Sequence, residues 1–268
     1  KSPAFDDQPS FTPDGRSILF ASSRLGAIDE AAAPGVTRPA SQTDIYRYDI
    51  RPTRMSRLTR TPASEYSPTV MPDGAHISVV RVERDGRRRL WSVGIDGQGP
   101  AVLLPAITPV GDYVWIDDRT VALFVAGAGG APATLQVADT RTGAARIAAS
   151  GIGSSLQRMP SGAVTFVQHE PGVGASAAEL VIKRLDRPRP PVATATVIRP
   201  VECATGPELV WTPGDTLLMA CAGTLYRWRA REPRWTAVAD LEALGLRDVT
   251  RLAVSPAGDR LALVGRPR

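Results

Sequence analysis

The feature that most limits what this chain can become is a hairpin signature that returns along its length. The segments Gln8-Pro9-Ser10-Phe11-Thr12-Pro13-Asp14-Gly15-Arg16-Ser17-Ile18-Leu19-Phe20 and Tyr66-Ser67-Pro68-Thr69-Val70-Met71-Pro72-Asp73-Gly74-Ala75-His76-Ile77-Ser78-Val79-Val80 match turn for turn. In each, Pro-Asp-Gly joins two apolar runs: proline presets φ, aspartate bonds the backbone beyond it, and glycine accepts a left-handed φ. Looser copies stand at Val210 to Leu218 and Ala253 to Leu263, and decayed ones at Trp115 to Leu123 and Met159 to Phe166.

The turn prolines give the period. Pro72 and Pro160 are 88 residues apart, two repeats of 44, and Pro213 and Pro256 are 43 apart. That is the length of one propeller blade. The longer intervals carry insertions between strands, namely the Ala/Pro/Ser-rich stretch Gly26 to Thr43, then Glu170 to Ala178 and Pro188 to Pro191. Within a repeat, a third strand such as Asp44 to Asp49 or Arg89 to Val93 and a fourth such as Ser56 to Thr59 or Ala101 to Leu104 follow the hairpin. A lone four-stranded sheet cannot bury both faces, whereas sheets stacked radially can. The expected fold is therefore all-β, a single β-propeller over 1–268 of about six four-stranded blades at 6–61, 62–105, 106–149, 150–200, 201–243 and 244–268. The sixth repeat offers only two strands before Arg268, so it is expected to be short or to be completed by Lys1 to Asp6.

Composition agrees: 24 Gly and 24 Pro are spread along the chain and punctuate short strands, and 43% hydrophobic residues suffice for a core. No run of about 18 apolar residues occurs, so no membrane span is expected. Net charge is +5 and the cations are almost all arginine. Arg51, Arg54, Arg57, Arg60 and Arg87 to Arg89 recur at repeat positions that suit a solvated strand face, so no nucleic-acid partner is expected.

The motif itself resembles the TolB-type, or PD40 (WD40-like), propeller repeat, Asp-x-x-Pro-x-aromatic-Ser/Thr-Pro-Asp-Gly followed by a strand and Ser-x-Arg, which Asp6 to Arg24 matches nearly throughout. The likeness is strong over 6–104, moderate over 205–264 and faint between. It implies a bacterial, periplasmic or secreted protein that acts as a binding scaffold. Separately, the numbered sequence opens on no signal-peptide pattern, and a monomer is the expected state. Cys203 and Cys221 lie across one hairpin, whose turn sets Cys221 opposite a residue near Gly206; a disulfide and two buried thiols are both compatible with that geometry.

For nucleophilic catalysis the sequence supplies only His76 and His169 as imidazole bases, both at the ends of second strands away from the expected channel, and no Gly-x-Ser-x-Gly elbow. No zinc set is spelled out. Asp6, Asp7, Glu65 and Asp112 fall near the starts of innermost strands, where carboxylates either face water or could take Ca or Mg; solvated carboxylates and no cofactor are the favoured reading. Trp115 and Trp211 occupy the site held by Phe11 and Val70, and Trp91 and Trp228 matching third-strand sites, which assigns all four to packing between blades. Propellers bind at the mouth of the channel, where innermost strands converge. There this register places Asp7, Gln8, Glu65, Tyr66, Asp112, Tyr113, Ser155, Gln157, Glu208 and Arg251, a rim suited to a basic peptide segment, a cation or a polar small molecule. The expected function is non-catalytic binding of a protein or peptide in the bacterial cell envelope. The alternatives are a propeller lyase or hydrolase acting on a sugar or lactone with a hard cation, and a regulatory propeller related to those of prolyl-oligopeptidase-like proteins.

Overall fold

A computed structural model describes residues 5–24, 42–170, 179–186, 193–203, 208–230 and 232–267. The insertion expected at Gly26 to Thr43 falls mostly outside these residues, as do 171–178 and 187–192.

Five repeats form four-stranded antiparallel meanders, numbered from the axis outward. Blade 1 is β1 (Asp6–Phe11), β2 (Ser17–Ser22), β3 (Asp44–Asp49) and β4 (Arg54–Arg57). Blade 2 is β5 (Ser64–Val70), β6 (His76–Val82), β7 (Arg88–Gly94) and β8 (Ala101–Val102). Blade 3 is β9 (Val110–Trp115), β10 (Thr120–Val125), β11 (Thr134–Asp139) and β12 (Ala145–Ser150). Blade 4 is β13 (Ile152–Arg158), β14 (Val164–Glu170), β15 (Glu179–Asp186) and β16 (Ala193–Ile198). Blade 5 is β17 (Glu208–Trp211), β18 (Thr216–Cys221), β19 (Thr224–Arg229) and β20 (Thr236–Asp240). The sixth repeat is only a two-stranded sheet, β21 (Leu246–Val254) and β22 (Leu261–Pro267).

The expectation of about six four-stranded blades is thus corrected to five. Completion of the last by the N-terminal segment does not occur among the described residues: Asp6 pairs with Ser22, and Phe5 exchanges hydrogen bonds with Ser23, so both extend blade 1. The ring closes through innermost strands instead, with β21 packed against β17 on one side and β1 on the other.

The turns form for the reason the motif supplies. Asp14 Oδ1 accepts from Arg16 N at 3.0 Å and Asp73 Oδ1 from Ala75 N at 2.9 Å, while Gly15 and Gly74 take φ of 66° and 68°. Second strands are then buried on both faces, as in β6, where Ile77, Val79 and Val80 are wholly inaccessible. Side chains of these strands and of the strands beside them fill the layers between blades: Val80, Leu90, Val121 and Leu123 between blades 2 and 3, Leu135, Ile152 and Phe166 between 3 and 4, and Val167, Ile182, Leu217 and Met219 between 4 and 5. At about 1.5–3 kcal/mol per buried large apolar side chain, these layers are the main drive to stack the sheets.

Polar pins cross the same layers. Trp115 Nε1 donates to Ser78 Oγ and Trp211 Nε1 to Thr165 Oγ1, each at 2.9 Å, so the two innermost-strand tryptophans pack as expected and also fasten each blade to the preceding one. Trp228 is buried and Trp91 half-buried under the Arg81 guanidinium, 4.3 Å from its ring centre. Two arginines expected on a solvated face are elsewhere: Arg57 pairs with buried Asp44 at 2.9 Å and Arg89 with Glu83 at 2.5 Å. No helix among the described residues is long and apolar enough to cross a membrane.

Cys203 and Cys221 form a disulfide that ties the segment before β17 to the end of β18. It closes a loop across a sequence separation of 18, worth about 3 kcal/mol in the chain-entropy model. The Cys203→Ala/Cys221→Ala protein is expected to lose about that much free energy of unfolding in urea.

Candidate binding site at the central channel

All six innermost strands reach one cavity of about 250 Å³ on the axis, whose lining includes Gln8, Ser67, Asp112, Gln157, Val210 and Arg251. The strands do not run straight into it. Register breaks fall between Asp7 and Ser10 in β1, between Tyr66 and Thr69 in β5, between Ile152 and Leu156 in β13, and between Arg247 and Arg251 in β21. Three of these carry a non-glycine residue with left-handed φ: Gln8 at 53°, Ser67 at 51° and Asp248 at 50°. A bulge re-aims side chains and terminates pairing, and here it turns Gln8 and Ser67 toward the axis. Pro9 and Pro68 follow those residues, where the ladder is already interrupted and a missing N–H costs little.

The bulged segments are cross-linked. Gln8 Oε1 accepts from Ser67 N at 2.8 Å, and the Tyr113 hydroxyl donates to Ser67 O at 2.8 Å and lies 2.8 Å from Ser78 Oγ. Burial pushes the Tyr113 phenol well above its usual range. Tyr113 therefore lines the cavity as a structural pin rather than as a rim group.

Among the described residues, three carboxyls and one guanidinium stand around the cavity. Arg251 Nη1 is 2.9 Å from Glu208 Oε1, and its Nε is 3.6 Å from Asp7 Oδ1, an atom that is buried and accepts no hydrogen bond. Asp112 receives the N–H of Tyr113 at 2.8 Å on Oδ1. Burial pushes Asp112 up to about 7, against the opposing pull of the Tyr113 N–H and Arg251, and burial likewise raises Glu208 to about 7. Asp7 is raised for the same reason, with Arg251 opposing. Glu208 feels both Asp112 and Asp7, and Asp112 feels Asp7, with Arg251 as the opposing charge on all three.

The structure brings Asp7, Gln8, Asp112, Gln157, Glu208 and Arg251 together as the register predicts. It separates the others. Glu65 is wholly buried within blade 2, with Oε1 2.8 Å from Arg81 Nε, and takes no part in the channel. Tyr66 stands higher, with Arg88, Phe5, Phe124 and Ser154, in a wider mouth of about 540 Å³ that also includes Asp7 and Gln8. The bulge in β13 puts Ser154 rather than Ser155 in that mouth. Of the weak metal candidates, Asp6 pairs with Arg24 and Glu65 with Arg81, so only Asp7 and Asp112 are at the channel. Among the described residues no three His, Cys, Asp or Glu side chains converge as a metal site would require. His76 Nδ1 lies 2.7 Å from Asp73 in an outlying turn, and His169 is exposed at the end of β14. What the sequence reading missed is Ser67, whose place is signalled only by its position before Pro68.

No family model matches this sequence, and no curated protein matches it in sequence. Solved structures do match in fold. A gluconolactonase from Xanthomonas campestris superposes with a TM-score of 0.69 at 11% identity, over 98% of this chain and 84% of that one. TolB from Acinetobacter baumannii gives 0.56 at 18% identity, over 91% and 67%. The β-propeller domain of the Trilobed protease from Pyrococcus furiosus, described as having an open velcro topology, gives 0.54 at 11%, over 99% and 86%. Identities this low speak for the fold alone, and they make this chain a β-propeller with TolB among its structural neighbours.

Proposed function

We infer that this protein is a non-catalytic propeller, built on TolB-like repeats, that binds a protein or peptide partner at its central channel. The observation that carries this is the polar cavity to which every innermost strand contributes, ringed by Asp7, Asp112, Glu208 and Arg251. Convergent polar groups in a concavity are the usual form of a binding site. Neither histidine is near it, so no imidazole base stands beside the Ser67 hydroxyl there. The disulfide suits an oxidising compartment such as the bacterial envelope or the exterior.

The test is site-specific photo-crosslinking in envelope extract. A benzoylphenylalanine at Gln157, in the channel, is expected to capture one discrete partner, and the same probe at Thr142, on an outer turn, none. Capture from Thr142 alone, or turnover of lactones or uronate sugars by the unmodified protein, would overturn the reading.

A further inference from the structure

We propose that the group which enters the channel is a single lysine or arginine side chain of the partner, seated against Asp112 beside the Ser67 hydroxyl. This rests on the binding reading above and deepens it. The chain as a whole carries +5, yet its axial cavity sets three carboxyls against one arginine. Arg251 is committed to Glu208 and Asp7, on the blade 5 and blade 1 sides. Asp112, from blade 3, has a backbone N–H as its hydrogen-bond donor and no ion pair among the described residues.

A second observation points to an occupant independently of charge. Ser67 is 8% exposed and lines the cavity, and its Oγ has no hydrogen-bond partner among the described residues; it lies near enough to Asp112 to favour the charged carboxylate, yet outside hydrogen-bond geometry. A buried hydroxyl left in this state costs free energy, and it is held there by a left-handed backbone at a bulge. A cation with several N–H donors placed in the cavity would meet Asp112 and Ser67 Oγ together, with the Gln157 side chain also at hand. An anion there would face Asp7, Asp112 and Glu208, and an apolar group would leave Ser67 and Asp112 unsatisfied.

Protons report on the occupant. The titratable and charged groups facing the site are Asp7 from β1, Tyr66 from β5, Asp112 and Tyr113 from β9, Glu208 from β17 and Arg251 from β21, while β13 brings the uncharged Gln157 and, at its far end, Arg158. A cation seated here favours ionised carboxyls, so binding releases protons below neutral pH and affinity rises with pH, by up to about tenfold per unit for each proton released.

The experiment is calorimetric titration of the full chain with acetyl-Gly-Ser-X-Ser-Gly-amide, X being arginine, lysine, norleucine or glutamate, at pH 5.5 and 7.5. The arginine or lysine peptide is expected to bind at least tenfold tighter than the norleucine peptide at pH 7.5, to weaken at pH 5.5 with proton release, and to lose about tenfold or more in D112N. Because the protein is basic overall, non-specific attraction favours the glutamate peptide and cannot produce this order. Equal affinity for norleucine, preference for glutamate, or a D112N protein that binds arginine unchanged overturns the proposal. Should none of the peptides bind while the Gln157 probe still captures its partner, the choice of cation falls and the binding reading stands.

Discussion

The Glu65→Gln protein is expected to unfold with about 4 kcal/mol less free energy than the parent, while its channel binds as before. Glu65 is fully buried, and Arg81, whose Nε and Nη2 stand 2.8 and 2.5 Å from Glu65 Oε1, is nearly so. Removing one partner of a buried pair strands the other charge, which costs about 3–5 kcal/mol. Arg81 has one further compensation, the Trp91 ring at 4.3 Å, and a cation–π contact of about 1–2 kcal/mol does not replace a carboxylate. The double change Glu65→Leu/Arg81→Met should recover most of the loss, because apolar replacement of a whole buried pair is often neutral. Urea unfolding of the three proteins separates the outcomes. A Glu65→Gln protein of parental stability that fails to bind peptides would return Glu65 to the channel, where its place before Tyr66 first suggests it belongs.

That contrast shows what the sequence can and cannot say. The repeat unit was legible because turn chemistry is local: a Pro-Asp-Gly turn forms from its own residues, and its recurrence every 43 or 44 residues is a statement about fold. The innermost strands could therefore be aligned, and Asp7, Gln8, Asp112, Gln157, Glu208 and Arg251 followed from one register. The register misled at Ser155, where a bulge breaks the alternation of side chains, and at Glu65, which pairs regularly with Arg81 ahead of the β5 bulge, one place before the Tyr66 that matches Asp7. In β5 the residue delivered to the cavity is Ser67, two places on from Glu65. Bulges depend on how a strand meets its neighbours around the axis, and one repeat viewed alone does not reveal them. The blade number failed for a related reason. Closure is a property of the ring, and here it is met by contacts of β21 with β17 and β1 and by Arg260 Nη1 donating to Gly15 O at 3.0 Å, so a full sixth blade is not needed for the innermost strands to meet.

Asp112→Asn is expected to stabilise the protein by up to about 4 kcal/mol at pH 8 and by less than about 1 kcal/mol at pH 4. In the unfolded chain this carboxyl titrates near the ordinary aspartate value, whereas burial lifts it to about 7 in the folded protein. A raised carboxyl means that the folded state holds a proton which the unfolded state has already lost. Stability from this group is therefore full below about pH 4 and declines as pH rises toward 7, where a buried charge must be carried. Asparagine keeps the shape without that charge, so its advantage appears only on the alkaline side. At about 1.4 kcal/mol per pH unit, a shift from 3.8 to about 7 corresponds to roughly 4 kcal/mol, an upper figure because Asp112, Glu208 and Asp7 relieve one another when any one of them is neutralised. Glu208→Gln is expected to gain less, for it also takes the charge from the 2.9 Å contact of Arg251 that holds the two-stranded β21–β22 sheet to blade 5. Thermal unfolding of the three proteins from pH 4 to 8 reads both effects. Parallel curves for Asp112→Asn and the parent would mean that Asp112 is ordinary and solvated, and the cation site would lose its anchor with it. A diverging pair, joined at pH 4 and separated at pH 8, would instead show a carboxylate kept at a cost to the free protein, which a cationic partner side chain would offset on binding.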